Sequence, residues 1–270
     1  MYVIACIKQV PDTTQVKIDP VTNTLIREGV PFIMNPFDTH ALEESLRLKD
    51  KYGFRVAVIS MGPPNAEMTL RKALAVGVDE VVLLSDRAFG GADTLSTSNV
   101  LSEAIRKFAE KEDVAFVLCG KQTIDGDTAQ VGPGIATRLG YCQLTLVDKI
   151  ESIDMQTKRV RVRRKLEGRH EIVESPMPAV ITVVREINRP RYPKVSVRLA
   201  AEEAKIPTWN NTALQLDVNT IGLKGSPTKV NRIFSPERAK GEIIGDGAND
   251  PQGAAELLVE KMLSKDLLAL

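Results

Sequence analysis

Residues 120–140, GKQTIDGDTAQVGPGIATRLG, set Gln122, Thr123 and Asp125 in a polar loop between the apolar run VAFVLC and a stretch of helical periodicity. Amide, hydroxyl and carboxylate groups at the end of a buried strand suit ribose and phosphate oxygens. A carboxylate repels phosphate, so Asp125 is assigned to a ribose hydroxyl or a backbone N–H. Asp127-Thr128-Ala129-Gln130 has the spacing of a capping box, which predicts that Asp127 caps a helix carrying Val131, Ile135 and Leu139. A second junction, SDRAFGGADTLSTS, offers Gly90-Gly91 for close backbone approach, Asp93 or Thr94 as a helix cap, and hydroxyls at Thr94, Ser96, Thr97 and Ser98. Read alone, it is equally a helix start with flexible glycines or a ligand loop. A third junction, SMGPPN, follows another apolar run.

Other chemistries find little support. GxGxxG and Walker-type loops are absent. His40 and His170 are the two histidines, and neither stands in a Ser/His/Asp or Cys/His grouping, so no catalytic residue and no metal site are nominated.

The elements that must position these loops alternate in the manner of a parallel sheet. Apolar runs at Tyr2–Ile7, Arg55–Ser60, Glu80–Ser85 and Val114–Cys119 read as strands. Helical spacing covers Thr39–Gly53, Asn65–Val76 and Asp93–Glu112. In an open sheet of this kind, ligands lie beyond the carboxyl ends of the strands, where the three junctions fall. After Gly140, alternation predicts an antiparallel meander through Ser175, and MPAVITVVRE predicts one more buried strand. The basic run Lys158–Lys165 lacks stacking aromatics and reads as a solvated strand face rather than a nucleic-acid patch. Beyond Asn188, recurring prolines predict an arm that rests on another chain and ends in the helix GAAELLVEKMLSKDLL. The fold class is therefore α/β: an open, mainly parallel sheet with helices on both faces, an antiparallel meander and an extended C-terminal arm. Residues 1–187 form the nucleotide-binding domain with its meander, and residues 188–270 the partner loop and arm.

Balanced charge, with 36 Lys plus Arg against 35 Asp plus Glu, removes any global field for nucleic acid or anionic membrane. MYVIACIKQV reads as a strand rather than a signal segment, and no run is long enough to insert in a membrane. Three cysteines, Cys6, Cys119 and Cys142, without metal spacing fit buried thiols in a reducing, cytoplasmic setting.

Four motifs in order, IACIKQVPD, MNPFDTHALEESLRLK, GKQTIDGDTAQVGPGIATRLG and NRPRYPKV, resemble the β subunit of electron-transfer flavoproteins over most of the chain. The resemblance implies a nucleotide-hydrolase-like fold without hydrolase activity, and a heterodimer with an FAD-carrying α subunit around which the arm wraps. It implies an adenine nucleotide held by Cys6, Asn35, Pro36, Phe37, Asp38, Met61, and the run Gly120, Lys121, Gln122, Thr123, Ile124, Asp125, Gly126, Asp127, Thr128, Ala129, Gln130, Val131 and Gly132. Ordinary members bind AMP. DRAFGGADTLSTS resembles the electron-bifurcating group of anaerobes, which binds a second FAD here; the added contacts would come from Phe89, Gly90, Gly91, Ala92, Asp93, Thr94 and Thr97. In that group NADH delivers a hydride to the β-subunit flavin. One electron then goes to the α-subunit flavin, toward an acyl-CoA dehydrogenase-type acceptor, and one to ferredoxin or flavodoxin. The resemblance also implies that the loop Pro193, Lys194, Val195, Ser196, Val197, Arg198 and Leu199, extending to Glu202, docks dehydrogenases. Two alternatives stay open. A stand-alone adenine-nucleotide module would lack the arm, and an ATP-using pyrophosphatase-type enzyme would need a Ser/Gly-rich loop where this chain has KQVPD.

Overall fold

In the computed structural model, which describes residues 1–12, 17–18, 25–26, 31–231 and 241–267, the chain opens with β1 (Tyr2–Cys6). Small strands follow: β2 (Gln9–Pro11), β3 (Lys17–Ile18), β4 (Leu25–Ile26) and β5 (Phe32–Met34), pairing as two antiparallel couples, β2 with β5 and β3 with β4. α1 (Pro36–Tyr52) begins three residues before the expected Thr39, because Pro36 fills the first helical position, where a missing N–H costs nothing. It ends on Gly53 at φ 73°, which closes the last turn onto the Lys49 carbonyl.

β6 (Arg55–Met61), α2 (Glu67–Ala75), β7 (Glu80–Leu84), α3 (Thr94–Ala109) and β8 (Val114–Gly120) continue the alternation, each within a few residues of expectation. Next come α4 (Val131–Leu139), the meander β9 (Cys142–Asp154), β10 (Arg159–Leu166) and β11 (Arg169–Pro176), and the buried β12 (Ala179–Val183). α5 (Val195–Glu203), β13 (Thr208–Trp209) and α6 (Asn211–Leu214) complete the part of the chain packed with the sheet.

Among the described residues the main sheet runs β11-β10-β9-β12-β8-β1-β6-β7-β13. Pairing is parallel from β9 to β13, and the β9–β10 and β10–β11 pairs are antiparallel. Every residue of β1, β8 and β12 is buried, as expected of strands covered on both faces. α3 and α4 cover one face, packing Phe108, Ile105 and Ile135 on Tyr2, Ile4 and Val117. α1 and α2 cover the other, through Leu42, Leu46 and Leu70 on Ala5, Val56 and Val58.

On β10, Val160 and Val162 are buried, and the two arginines that follow them meet acids: Arg163 makes two bonds to the buried Asp148, and Arg164 pairs with Glu171. The basic run is a solvated strand face, as its alternation predicts.

Two compact units divide the chain, Met1–Arg232 and Ile233–Leu270. Residues 188–231 therefore group with the sheet. In the second unit, α7 (Pro251–Ser264) is capped by Asp250, which accepts from the Gly253 N–H at 2.9 Å, and leaves Leu257, Leu258 and Val259 exposed. No helix of the described residues is long and apolar enough to cross a membrane.

Candidate nucleotide site at the carboxyl edge of the sheet

α1 follows β1 onto one face of the sheet, and α4 follows β8 onto the other. Strand order thus reverses between β1 and β8, the position at which an open sheet of this kind takes its ligand.

Two buried polar side chains hold the loops there in place. Asn35, fully buried, donates from Nδ2 to the Gln122 carbonyl at 2.9 Å and accepts the Ile124 N–H on Oδ1 at 3.2 Å. Asp38, 4% exposed, accepts the Lys8 N–H at 2.8 Å and the Gly120 N–H at 3.1 Å, tying the ends of β1 and β8 to the first turn of α1. Gly120 must lack a side chain, since a Cβ there would stand 2.4 Å from Asp38 Oδ1 and 2.6 Å from Phe37 Cβ. Burial pushes the Asp38 carboxyl up to about 7 against the opposing pull of its hydrogen bonds. Lys8, outside the residues to which the sequence points, joins the site: its ammonium pairs with Asp125 at 2.6 Å. A lysine one residue past a buried strand was the available signal. Cys6 and Cys119 face each other across β1 and β8, and their hydrogen bond together with burial holds the Cys6 thiol well above its ordinary range. Met61 ends β6, partly buried.

The expected cap at Asp127 is corrected by the structure. α4 starts at Val131, with Gln130 in the capping position and no side-chain bond to the helix start. Asp127 lies at φ 51° and Ala129 at φ 55°, so the chain makes an extra left-handed excursion before the helix. The Asp127 carboxylate accepts from Gln122 Nε2 at 2.5 Å, and its N–H donates to the Thr123 carbonyl at 2.8 Å. Asp127→Gly is accordingly expected to keep the melting temperature within about 2 °C, because losing a true cap costs about 0.5–2 kcal/mol; thermal denaturation checks this.

Thr128, Ala129 and Gln130 are exposed, and the first N–H groups of α4 stand without a side-chain cap or an acidic neighbour, an arrangement that favours an anion. Thr94 Oγ1 donates to Gln130 Oε1 at 2.8 Å, bringing the start of α3 beside the start of α4. In that first turn of α3 the Ser96 hydroxyl is buried with no hydrogen-bond partner. An unsatisfied donor beside an uncapped helix start fits the phosphate of a nucleotide.

The Phe89–Ser98 stretch differs from its sequence reading. Phe89 is a core residue, 4% exposed. The close approach that Gly91 permits is to the chain itself: φ is 72°, and an added Cβ would meet Leu223 at 3.2 Å. The Gly90 carbonyl accepts the Leu223 N–H at 3.0 Å. Asp93 caps α3 through the Ser96 N–H, as predicted, and its other oxygen accepts from both the N–H and the hydroxyl of Thr228. Ser98 is buried and donates to the Leu95 carbonyl, while Ala92, Thr94 and Thr97 remain partly open.

The segment expected as a partner loop is α5. Lys194 precedes it, and Arg71 on α2 steadies its end by donating to the Ala201 carbonyl at 2.9 Å. Val195 (76% exposed) and Leu199 (64%) present apolar surface to solvent.

With this geometry in view, residues 22–214 match the family model described as "Electron transfer flavoprotein domain". The chain belongs to that family. It is similar to "Protein FixA" of Azotobacter vinelandii, 47% identical over 268 residues, covering 98% of this chain and 95% of that protein. It is 48% identical over 263 residues to "Electron transfer flavoprotein subunit beta" of Clostridium acetobutylicum, covering 97% of this chain and 98% of that protein. A third relative, "Caffeyl-CoA reductase-Etf complex subunit CarD" of Acetobacterium woodii, is 46% identical over 271 residues, covering 99% of this chain and 100% of that protein. The chain is a β subunit of an electron transfer flavoprotein, and β subunits of this family pair with an α subunit.

Proposed function

We propose that this β subunit binds FAD in the β1/β8 site and, with its α subunit, works as an NADH-dependent, electron-bifurcating flavoprotein. When bound, the flavin would supply the means to take a hydride from NADH and pass its electrons on singly, one toward a dehydrogenase and one toward ferredoxin or flavodoxin. The observation that carries nucleotide binding is the Thr94–Gln130 bond, which sets the uncapped start of α4 beside the unsatisfied Ser96 hydroxyl. Asn35 and Asp38 orient the loop; Thr94, Ser96, Thr97 and the first N–H groups of α4 would hold phosphate. The similarity to a subunit of a caffeyl-CoA reductase complex supports an acyl-CoA dehydrogenase-type partner. The exposed apolar residues of α5 would meet that partner, and the exposed leucines of α7 the α subunit.

A second reading is AMP in place of FAD, in a carrier that does not bifurcate. It is favoured by the packing of Leu223 and Thr228 on the Gly90–Asp93 turn, which occupies part of the room a second phosphate would need.

Flavin released from the purified heterodimer decides between them: two flavins support bifurcation, and one flavin with one AMP supports the carrier. Gly91→Val is a poor probe of this site because it would strain a left-handed backbone and strike Leu223 first. Ser96→Ala is cleaner. The hydroxyl has no partner among the described residues, so the melting temperature should not fall, while adenine-nucleotide affinity should drop about tenfold. Unchanged affinity by calorimetry would remove phosphate from the α3 start.

A further inference from the structure

An open groove of about 720 Å³ lies between α1 and the turn that follows β12, lined by His40, Arg47, Arg185, Asn188 and Arg189 among others. We propose that this groove is a second anion site, which receives the diphosphate of a dinucleotide through Arg185 and Arg189; the identification of the anion rests on the nucleotide-binding function above.

The charges of the groove are unevenly satisfied. Glu43 is held by Arg191, with Nε to Oε2 at 2.9 Å. Glu44 is held by Arg47 at 3.0 Å and by Asn188 Nδ2 at 3.0 Å, and Glu186 by Lys165. The carboxylates are thus neutralised from within. Arg185 and Arg189, by contrast, have no carboxylate within ion-pair distance among the described residues, and neither has Lys121 at the edge of the same region. Arg185 and Lys121 crowd one ring: the guanidinium carbon sits 4.8 Å from the Phe37 centroid and the ammonium nitrogen 5.0 Å. Two cations that share one ring and have no carboxylate partner leave a local excess of positive charge, which an anion relieves.

The remaining groups give the groove a fixed shape. Asn188 Nδ2 donates to the His40 carbonyl and to Glu44, so its Oδ1 must accept, and His40 Nδ1 carries a proton toward it at 3.0 Å. Guanidinium forks match phosphate oxygens two at a time, and the volume is that of a small-molecule site rather than of a single ion.

The test is calorimetric titration of the full-length chain with inorganic pyrophosphate at two salt concentrations. Arg185→Gln with Arg189→Gln should weaken binding at least tenfold without lowering the melting temperature, and Arg161→Gln, on the exposed face of β10, should leave it unchanged. If a soluble dinucleotide is the ligand, NADH will displace pyrophosphate, and the double variant will keep its bound nucleotide. If the diphosphate belongs to the resident cofactor, the double variant will lose that nucleotide on purification. An isotherm that the double substitution does not alter overturns the site. Ser96→Ala reads the α3 and α4 starts alone, so failure there with an arginine-dependent isotherm intact would count against the β1/β8 site and not the groove.

Discussion

Asn35→Ala is expected to destabilise the chain by about 2–4 kcal/mol and to abolish saturable adenine-nucleotide binding. The side chain is fully buried and bridges the start of α1 to the Gln122 carbonyl and the Ile124 N–H. Alanine leaves both partly buried groups without this partner, and each unsatisfied buried group costs about 1–3 kcal/mol. The helix start itself should survive, because the Asp38 and Thr39 N–H groups bond to the backbone carbonyl of residue 35, which alanine retains. The loss would therefore concentrate in the loop that walls the site. Asn35→Asp gives an intermediate case: it keeps an acceptor for Ile124 but loses the donor to Gln122. Urea unfolding and calorimetric titration with AMP measure the two effects together. A variant that loses stability yet binds AMP at wild-type affinity would show that the 120–130 loop does not shape the site.

Much of the scaffold was legible because double burial leaves little choice of residue. Runs such as YVIAC, VAVIS and VAFVLC can only be central strands, and the periodicity of Leu101, Ala104, Ile105 and Phe108 can only present one face of α3 to them. What the sequence concealed depends on contacts distant along the chain. Asp127 satisfies every local rule for a cap, but two left-handed residues carry it away from the helix, and no spacing argument anticipates an alanine at φ 55°. The resemblance implies a loop at VSVRL. It is helical against α2, with Arg71 meeting its last carbonyls from 130 residues away. The glycine pair at 90–91 signals close approach of a bound group, whereas the approach in the structure is by the chain itself. Its neighbour, Leu223, lies in a proline-bounded stretch that carries no signal of where it packs. The polar residues of the site were visible as types, whereas the ties from Lys8 to Asp125 and from Asn35 to Gln122 exist only once β1 and β8 are adjacent.

That adjacency also gives Asp38 a measurable proton linkage. In the folded chain burial holds its carboxyl at about 7, and in the unfolded chain it titrates at its ordinary value of 3.8. Between these values the folded state binds more protons than the unfolded state, so this carboxyl's contribution to stability is complete at low pH and is lost as pH rises toward 7. Other groups titrate in the same range, and the comparison must therefore be with Asp38→Asn, which lacks this proton and keeps the shape. The stability of the wild type relative to the variant should fall by about 1.4 kcal/mol per pH unit from pH 5 to pH 7 and level off above. Urea midpoints for both proteins at pH 5, 6, 7 and 8 supply the difference, and parallel curves would mean that Asp38 ionises like an exposed aspartate. The groups that face it set the direction: the Cys6 thiol gives no compensating charge, and the Lys8 ammonium is already drawn toward Asp125, so the Asn35 side chain and two backbone N–H groups are what support a buried anion, and burial outweighs them. Those same two bonds are strongest when the carboxylate is charged. The form that best clamps β1 to β8 is thus the form that burial disfavours, and Asp38→Asn, which must turn an amide N–H toward one of two donors, should bind AMP about tenfold more weakly at pH 8 while losing less of that affinity at pH 6 relative to wild type.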